Sequence, residues 1–371
     1  MSFVCRPGGA SPTTKGVLGL LTPQSRAGWL DAMTTTLSMP RAERTSTGSD
    51  FAELHRRINA AGLLERRPGY YAVRLGLVAA AYVTGWVAFV LIGASWWTLL
   101  VAVFLAIVFA QVALGAHDLA HRQVFRTNRP SARAGLVAGN LGIGMSYGYW
   151  MTKHTKHHAN PNHDDLDPDV GPGVLVWSRE AARGRGFLTR YQAFFFLPLL
   201  PLLGISLKRD SIQALRDGTV KQRRLEGALL AAHLVGYAAA LLLVLTPLQA
   251  LAFVVVHQAL FGSYLGLTFA PNHKGMPHPD GTEDFLRKQV LTSRNVRGGW
   301  LVDAALGGLN HQIEHHLFPA MPTPHLRKAQ PIVQAYCAEL GVPYEITGLR
   351  DSYAQALRHL HDVGVDLRRR P

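Results

Sequence analysis

Four long apolar runs constrain the fold of this 371-residue chain more than any other feature. They occupy residues 75–94, 98–115, 226–245 and 248–270. Each run is close to the roughly 20 residues that a helix needs to cross a bilayer. The sequence therefore predicts an all-α integral membrane protein with four transmembrane helices.

The connections between these runs predict how the helices pair and how they are oriented. Residues 95–97 and 246–247 are short, uncharged links, so the runs form two hairpins, while most of the 38 Lys and Arg residues lie in the flanking segments. The positive-inside rule then places both termini and the middle segment in the cytoplasm, where they form a histidine-rich helical cap. The predicted segments are 1–70 (cytoplasmic, partly disordered), 71–116 (hairpin 1), 117–224 (cytoplasmic or interfacial), 225–271 (hairpin 2) and 272–371 (cytoplasmic).

Two shorter apolar stretches lie at 134–150 and 191–205. Both are shorter than the roughly 20 residues of a membrane-spanning helix, and the second contains Pro198 and Pro201, so we interpret them as interfacial or re-entrant segments. The alternative is that they form a fifth and a sixth span. The glycines within the first stretch indicate close packing against other helices.

Composition excludes several classes of function. The net charge of +14 is spread over segments next to the apolar runs and lacks a nucleic-acid-binding motif, so attraction to anionic lipid headgroups is the simpler explanation. The only cysteines, Cys5 and Cys337, cannot supply a disulfide framework or an iron–sulfur cluster. The first 50 residues are expected to be disordered, and Met33 or Met39 is an alternative start.

Three histidine clusters stand beside the ends of the apolar runs: HDLAH at 117–121, HTKHH at 154–158 and HQIEHH at 311–316. Residues three and four apart share one face of a helix, so each cluster can direct two or three imidazoles at the same point. One such cluster is weak evidence for a metal site, but three together are strong evidence. Other histidines, such as His55, His325, His359 and His361, lack partners at this spacing and are interpreted as structural.

The number of imidazoles indicates which metal they bind. A zinc site normally takes three or four protein ligands, so seven converging imidazoles fit two iron ions better than one zinc ion. His273, just after the last apolar run, is a plausible eighth donor. The seven candidate ligands are His117, His121, His154, His157, His158, His315 and His316.

Four further polar residues near the clusters or within the spans call for an interpretation. Asp118 and Glu314 point about 100° away from their histidine neighbours on an ideal helix, so we expect them to orient imidazoles rather than to bind metal. His233 and His257 lie within predicted spans, where polar groups are often functional. For both, hydrogen bonding between helices is the favoured interpretation.

The three clusters, especially NHQIEHHLFP at 310–319, resemble the histidine boxes of the membrane fatty acid desaturase family, and the likeness extends from about residue 70 to 359. Gln312 stands where front-end and many bacterial acyl desaturases have Gln. The resemblance implies metal-ligand roles for the seven box histidines, and for Gln312 and His273 with them. It further implies two irons that use O2 and two electrons to remove two hydrogens from an acyl chain.

The resemblance also implies partners and a location. The substrate would be an acyl-CoA or an acyl-lipid, reached from the membrane. RPGG at 6–9 lacks the histidine of a haem-binding HPGG, so electrons are expected from a separate ferredoxin- or rubredoxin-type donor with an NAD(P)H reductase. The expected location is a bacterial inner membrane, with the active site on the cytoplasmic side.

Two other functions compete with desaturation. A membrane di-iron hydroxylase acting on alkanes, lipids or carotenoids has similar histidine spacing, although QIEHHLFP favours the desaturase. A metal transporter would place its polar ligands within the spans. Here nearly all candidate ligands lie outside the spans, which makes transport the weaker interpretation.

Overall fold

The structure is a computed structural model that describes residues 49–171 and 173–368. The expectations for residues 1–48, which concern disorder, the start site and RPGG, lie outside the described residues. The helices, in chain order, are α1 (Asp50–Ala60), α2 (Pro68–Ile92), α3 (Thr98–Ala120), α4 (Asn128–Leu136), α5 (Tyr147–Ala159), α6 (Arg179–Ala182), α7 (Phe187–Arg190), α8 (Gln192–Leu199), α9 (Leu203–Arg216), α10 (Arg223–Val244), α11 (Pro247–His273), α12 (Phe285–Leu291), α13 (Trp300–Ala305), α14 (Gln312–Leu317), α15 (Thr323–Glu339), α16 (Leu349–Val363) and α17 (Val365–Arg368).

Three short elements complete this architecture. A π-helical segment, Val137–Gly142, continues α4, and a 3-10 turn, Leu200–Leu202, joins α8 to α9. The strands β1 (Asn295–Val296) and β2 (Ile346–Thr347) pair in parallel. Apart from this pair the described residues form no sheet, so the predicted all-α class is confirmed.

Four helices, α2, α3, α10 and α11, are long and apolar enough to cross a membrane, with mean hydropathies of 2.2, 2.6, 2.0 and 1.6. They coincide with the four predicted spans but extend further at several ends. Helix α2 begins at Pro68, because proline at the first helical position lacks only an N–H that would have no partner there. It ends at Gly93, whose φ of 64° favours glycine.

The central pair of membrane helices is α3 and α11. Buried residues make up 56% and 44% of their most apolar windows, against 11% and 17% for α2 and α10. The short links predicted within each hairpin are present, but α10 packs mainly against the π-helical segment and α9 rather than against α11. Helices α2 and α10 therefore present most of their apolar surface to the surroundings, as expected of helices in lipid.

The two shorter apolar stretches do not form candidate spans in the described part of the chain. Residues 134–150 cover the end of α4, the π-helical segment and the start of α5, and residues 191–205 are divided among α8, the 3-10 turn and the start of α9. The alternative of a fifth and a sixth span is therefore not supported. An interfacial position for both stretches remains a prediction.

Two glycines of the first stretch pack closely against another helix, α10, as the sequence predicts for glycines in this stretch. Gly144 has a φ of +70°, and a β-carbon there would lie 2.4 Å from the ring of His233. A β-carbon on Gly148 would lie 2.4 Å from the carboxylate of Glu226. A larger residue at either position would push α10 away from the segment that leads into the second histidine box.

Glu226, buried at the start of α10, ties that helix to the start of α5. Its Oε2 accepts hydrogen bonds from Ser146 Oγ at 2.6 Å, from the Gly148 N–H at 3.0 Å and from Asn140 Nδ2 at 3.1 Å. Ser146 is also the N-cap of α5 and accepts from the Tyr149 N–H. The helix that carries HTKHH is therefore fixed to a membrane helix at its first turn.

The two histidines within spans make the predicted contacts between helices. His233 Nδ1 on α10 donates to the carbonyl of Leu141 in the π-helical segment at 2.8 Å. The Tyr237 hydroxyl on α10 donates to His257 Nδ1 on α11, also at 2.8 Å. Both imidazoles are engaged in helix packing, away from the histidine boxes.

Lys208 on α9 has a buried ammonium group beside the membrane helix α11. Its Nζ donates to the Ile143 carbonyl at 2.8 Å and lies 5.0 Å from the centre of the Phe261 ring. Burial lowers the pKa of this ammonium to about 7. Lys208 therefore releases its proton in the folded chain at a pH where the unfolded chain retains it.

This difference makes stability depend on pH. Between pH 7 and 10.5 the unfolded state binds more protons than the folded state at this residue, so raising the pH through that window stabilises the fold. We expect the thermal inactivation temperature of wild type, measured in detergent, to rise relative to that of Lys208→Met between pH 7.5 and 9.5. Parallel pH profiles for the two proteins would show that Lys208 stays charged.

The cap has its own apolar core, which supports the third histidine box. Phe51 of α1 contacts Phe285 of α12 and Phe318 after α14, with ring centres 4.7 and 5.3 Å apart. Part of the N-terminal segment is therefore ordered and packs beneath the third box. The buried residues of this core include Leu54, Leu286, Ile313, Leu326 and Val333.

Candidate metal centre

Five box histidines meet in one group, here called the five-imidazole cluster. It consists of His117, His121, His154, His158 and His315, and one nitrogen from each lies within 4.8 Å of the others. The shortest separations between Nε2 atoms are 2.8 Å for His121 and His154, 3.0 Å for His154 and His158, and 3.2 Å for His158 and His315. All three boxes thus contribute to a single group.

The remaining box histidines, His157 and His316, meet His273 in a second group, here called the three-imidazole cluster. His273 Nε2 lies 3.3 Å from His157 Nε2 and 3.0 Å from His316 Nε2. The two clusters adjoin, since the rings of His158 and His316 stack with centres 4.2 Å apart. The structure therefore brings together all eight histidines considered as ligands.

These separations are those of ligands on a common metal ion. Two imidazole nitrogens at bonds of about 2.1 Å and a right angle stand about 3.0 Å apart. The closest nitrogen pairs of both clusters fall near this value, between 2.8 and 3.3 Å. Without an ion, so many ring nitrogens would face one another with too few hydrogens to link them.

The hydrogen bonds on the outer side of the three-imidazole cluster strengthen this argument. Nδ1 of His157 donates to Asp167 Oδ2 at 2.9 Å, that of His273 to the Thr292 carbonyl at 3.0 Å, and that of His316 to Gln289 Oε1 at 2.9 Å. Each Nδ1 therefore carries the hydrogen, and each neutral ring directs the lone pair of Nε2 into the cluster. A cation is the species that such an arrangement binds.

The surroundings of five of these imidazoles favour the neutral form, which is the form that binds metal. Burial is the main cause that holds their pKa values well below the ordinary range, and neighbouring imidazoles lower the pKa values further, because a second positive charge nearby is unfavourable. The residues affected in this way are His121, His154, His158, His315 and His316.

Four helices place their carboxyl-terminal ends at the clusters. His117 and His121 belong to the last turn and the C-cap of α3, and His273 is the last residue of α11. The histidines of α5 and α14 also lie toward or in the last turns of those helices. Since unpaired carbonyls give a helix C-terminus partial negative charge, this convergence favours bound cations.

The residues expected to orient imidazoles differ in their contacts. Asp118 forms an ion pair with Arg74, and its Oδ1 lies 3.5 Å from His117 Nδ1, so it lies beside a cluster imidazole. Glu314 instead accepts hydrogen bonds from Asn295 Nδ2 at 2.7 Å and the Tyr344 hydroxyl at 2.5 Å. Burial raises the pKa of Glu314 to about 7 despite these bonds.

Gln312 lies at the edge of the three-imidazole cluster. Its Nε2 is 2.9 Å from His273 Nε2, and its Oε1 accepts from Asn272 Nδ2 at 3.1 Å. In this orientation the amide nitrogen, rather than the oxygen, faces the cluster. Metal binding through Gln312 would require its amide to rotate by about 180°.

Several residues that contact the two clusters were not identified from the sequence. Asp167 and Gln289 hold imidazoles through Nδ1, and the indole of Trp150 stacks on His154 with ring centres 4.4 Å apart. A signal existed for the first, since the acidic run DDLDPD at 164–169 follows the second box within ten residues. Trp150 lies one helical turn before His154 on α5.

The charges beside the second box also have defined partners. Lys153 Nζ lies 2.8 Å from Asp169 Oδ1, and Lys274 Nζ donates to the Asp169 carbonyl at 2.8 Å. For Asp167, burial acts to raise the pKa, but the hydrogen bonds that it accepts from His157 and the Asp169 N–H lower it, and the pKa stays below its usual value. Asp167 is therefore a carboxylate when it accepts from His157.

Among the histidines interpreted as structural, two donate through ring nitrogens to backbone carbonyls. His325 Nδ1 bonds to Leu63 and His359 Nε2 bonds to Trp177. His311, the first residue of the third box, lies outside both clusters, with Nε2 3.4 Å from Asp303. None of these three contacts places a further imidazole at the metal centre.

Comparison with known proteins gives a consistent result. Residues 94–348, more than half of the chain, match the family model described as fatty acid desaturase. The chain is 32% identical to the "Acyl-lipid (9-3)-desaturase" of Physcomitrium patens over 71% of this chain and 52% of that protein. It is 32% identical to the "Fatty acid desaturase 3" of Bos taurus over 87% of this chain and 74% of that protein.

A third relative, the "Delta(6)-fatty-acid desaturase fat-3" of Caenorhabditis elegans, is 26% identical over 92% of this chain and 80% of that protein. The chain spans about half the length of the Physcomitrium patens protein. The matched region includes all three histidine boxes and His273. The four apolar helices, the converging histidines and these matches together show that the chain belongs to the fatty acid desaturase family.

Proposed function

We propose that this protein is an O2-dependent membrane fatty acid desaturase that introduces a double bond into an acyl chain. The observation that carries the proposal is the meeting of eight imidazoles from three boxes and His273 in two adjoining clusters. The clusters lie where helices long enough to cross a membrane end. An acyl chain in the lipid could therefore reach the metals without crossing water.

The donor set fits two iron ions. Eight imidazoles exceed the four ligands of a zinc site, and imidazole is a suitable ligand for iron. The five-imidazole cluster would hold one ion, and the three-imidazole cluster, with Gln312 beside it, would hold the other. Bound iron supplies the O2 activation that removal of hydrogen from an unactivated methylene requires.

The chain's own residues have three tasks in this reaction. Trp150 and the buried rings of the clusters exclude water from the metals, because apolar and aromatic groups surround the nitrogens. The partners of Nδ1 in the three-imidazole cluster fix its imidazoles in one tautomer and orientation, and Asp118 lies beside His117. Helices α3 and α11 hold both clusters at fixed positions relative to the lipid, and this position selects the methylene that reacts.

The test is fatty acid methyl ester profiling with double-bond localisation in a desaturase-deficient bacterial host. The host would express wild type or His315→Ala together with a reductase and an electron donor. We expect a new unsaturated species with wild type and none with the variant. A hydroxylated lipid would instead indicate the related membrane hydroxylase, and no altered lipid from an iron-loaded, reduced enzyme would contradict desaturation of acyl chains.

The class of substrate needs a second experiment. We propose an acyl-lipid or acyl-CoA, because relatives are named as acyl-lipid, delta-6 and delta-8 desaturases. In vitro turnover of acyl-CoA against phospholipid with the same acyl chain separates the two. Double bonds at positions 6 and 8 are the first to be sought.

We also propose that the active site faces the cytoplasm of a bacterial cell and takes electrons from a separate ferredoxin- or rubredoxin-type protein. The basic segments outside the membrane helices support both statements. Beside the first box, Arg122 and Arg126 are exposed, and neither forms an ion pair within the described residues. An acidic donor protein would dock favourably on such a surface.

Docking of this kind is sensitive to salt. Raising ionic strength from about 0.05 to about 0.5 M is expected to lower turnover several-fold at limiting donor, since exposed charges are screened beyond a few ångströms. Arg126→Gln should show a weaker salt dependence, with Arg179→Gln as the exposed control. Turnover that does not change with salt would remove the electrostatic basis for this partner.

A further inference from the structure

The two clusters are supported in different ways. Every imidazole of the three-imidazole cluster is held from behind through Nδ1, by Asp167, by Gln289 or by the Thr292 carbonyl. In the five-imidazole cluster, Nδ1 of His158 and His315 and both nitrogens of His117 have no hydrogen-bond partner within residues 49–171 and 173–368. The cluster with fewer metal-binding nitrogens is thus the one in which hydrogen bonds fix every imidazole.

We propose that Asp167 and Gln289 are positioning residues that hold the metal of the three-imidazole cluster selectively. The proposal rests on the metal-binding function proposed above. A site with five imidazole ligands can retain its ion because the ligands are many. A site with three depends on each ligand being neutral, correctly oriented and in the right tautomer. Asp167 and Gln289 provide this for His157 and His316.

The surroundings of Asp167 are built for a carboxylate. Oδ2 accepts from His157 Nδ1 and from the Asn162 N–H at 2.8 Å, and Oδ1 accepts from the Asp169 N–H at 2.9 Å. All three hydrogen bonds of the side chain come from N–H donors, so an asparagine amide would turn its NH2 toward one of them. Asn162, at a φ of 59°, also donates to the His273 carbonyl at 3.1 Å, which links this loop to a second ligand.

Gln289, fully buried on α12, has an amide orientation fixed by a second bond. Its Nε2 donates to the His158 carbonyl at 3.0 Å, so its Oε1 must face His316 Nδ1. The same side chain therefore joins the end of α5 to α14. Glutamate at this position would keep the acceptor for His316, while its second oxygen would face the His158 carbonyl in place of the amide donor.

Loss of an outer hydrogen-bond partner commonly lowers metal affinity by about 10–100-fold. We expect Asp167→Ala and Gln289→Leu to weaken one site by this factor and to leave the other unchanged. Gln289→Glu should retain both metals. Asp165→Asn is the matched control, because Asp165 is exposed on the same loop and its carboxylate contacts no ligand.

The experiment uses the full chain in detergent, stripped by chelation and reloaded anaerobically with iron-57(II). Iron per chain is counted against a competing chelator, and Mössbauer spectra report which site is filled. We expect wild type to retain two irons at a chelator concentration where Asp167→Ala and Gln289→Leu retain one. Circular dichroism confirms folding, and Asp167→Asn serves as a milder variant if the alanine variant does not fold.

The outcomes separate this inference from the proposed function. Wild type that binds no iron contradicts the function itself. Wild type with two irons, and folded variants that keep both at wild-type affinity or lose both in parallel, contradict the selective role of Asp167 and Gln289. A single Mössbauer species lost in both variants, and kept in Gln289→Glu and Asp165→Asn, supports it.

Discussion

Replacing His158 with alanine is expected to abolish desaturation and to disturb both metal positions. His158 Nε2 lies 3.0 Å from His154 Nε2 and 3.2 Å from His315 Nε2, so the five-imidazole cluster loses a central donor. Its ring also stacks on His316 of the other cluster. Activity should fall by more than about 100-fold, since loss of an outer partner alone costs 10–100-fold.

The measurement is product formation per chain together with iron content, and the matched control is His361→Ala. His361 is exposed on α16, and its ring has no hydrogen-bond partner in the described structure. This control should retain activity within about twofold, as expected for a surface substitution. An active His158→Ala protein with a full complement of iron would show that this imidazole does not bind metal.

The fold was largely predictable because its main constraint is local. A helix that crosses a bilayer must be about 20 residues long and apolar throughout. Consecutive residues of the sequence show directly whether this requirement is met. What remained unpredictable was the arrangement of the helices. The packing of α10 against the π-helical segment depends on Gly144, Gly148 and the partners of Glu226, which are far apart in sequence.

The candidate site was likewise predictable where the pattern is local and unpredictable where residues distant in sequence meet. Histidines three and four residues apart were assigned together because helical geometry places them on one face. The sequence did not show which histidines share a cluster: His157 separates from its neighbours His154 and His158 and joins His273 instead. Gln289 had no signal at all, because a buried amide that bonds a histidine 27 residues away leaves no pattern in the sequence.

Arg294→Met is expected to be the most destabilising single substitution in the cap. Arg294 is fully buried, and its guanidinium donates to the carbonyls of Pro271 and Lys274 and to Gln355 Oε1. Burial lowers its pKa to about 10, so it remains charged at pH 7. Methionine fills similar space but leaves acceptors unpaired, at about 1–3 kcal/mol for each.

We expect the Arg294→Met substitution to weaken metal binding as well. Arg294 binds carbonyls on both sides of His273, and its own N–H donates to the Asn272 carbonyl at 2.9 Å. Arg294 is therefore one of several residues that fix the end of α11, where the helix has no further turn to hold it. Loss of the guanidinium should free His273 and weaken the three-imidazole cluster.

Thermal inactivation and iron content of Arg294→Met and Arg294→Lys, beside Arg297→Met, test both effects. Lysine can place one ammonium but cannot reach three acceptors at once, so it should restore part of the stability and less of the metal binding. Arg297 is exposed three residues away, and its replacement should change neither. If Arg294→Met lost stability but kept all its iron, Arg294 would hold the cap together without positioning His273.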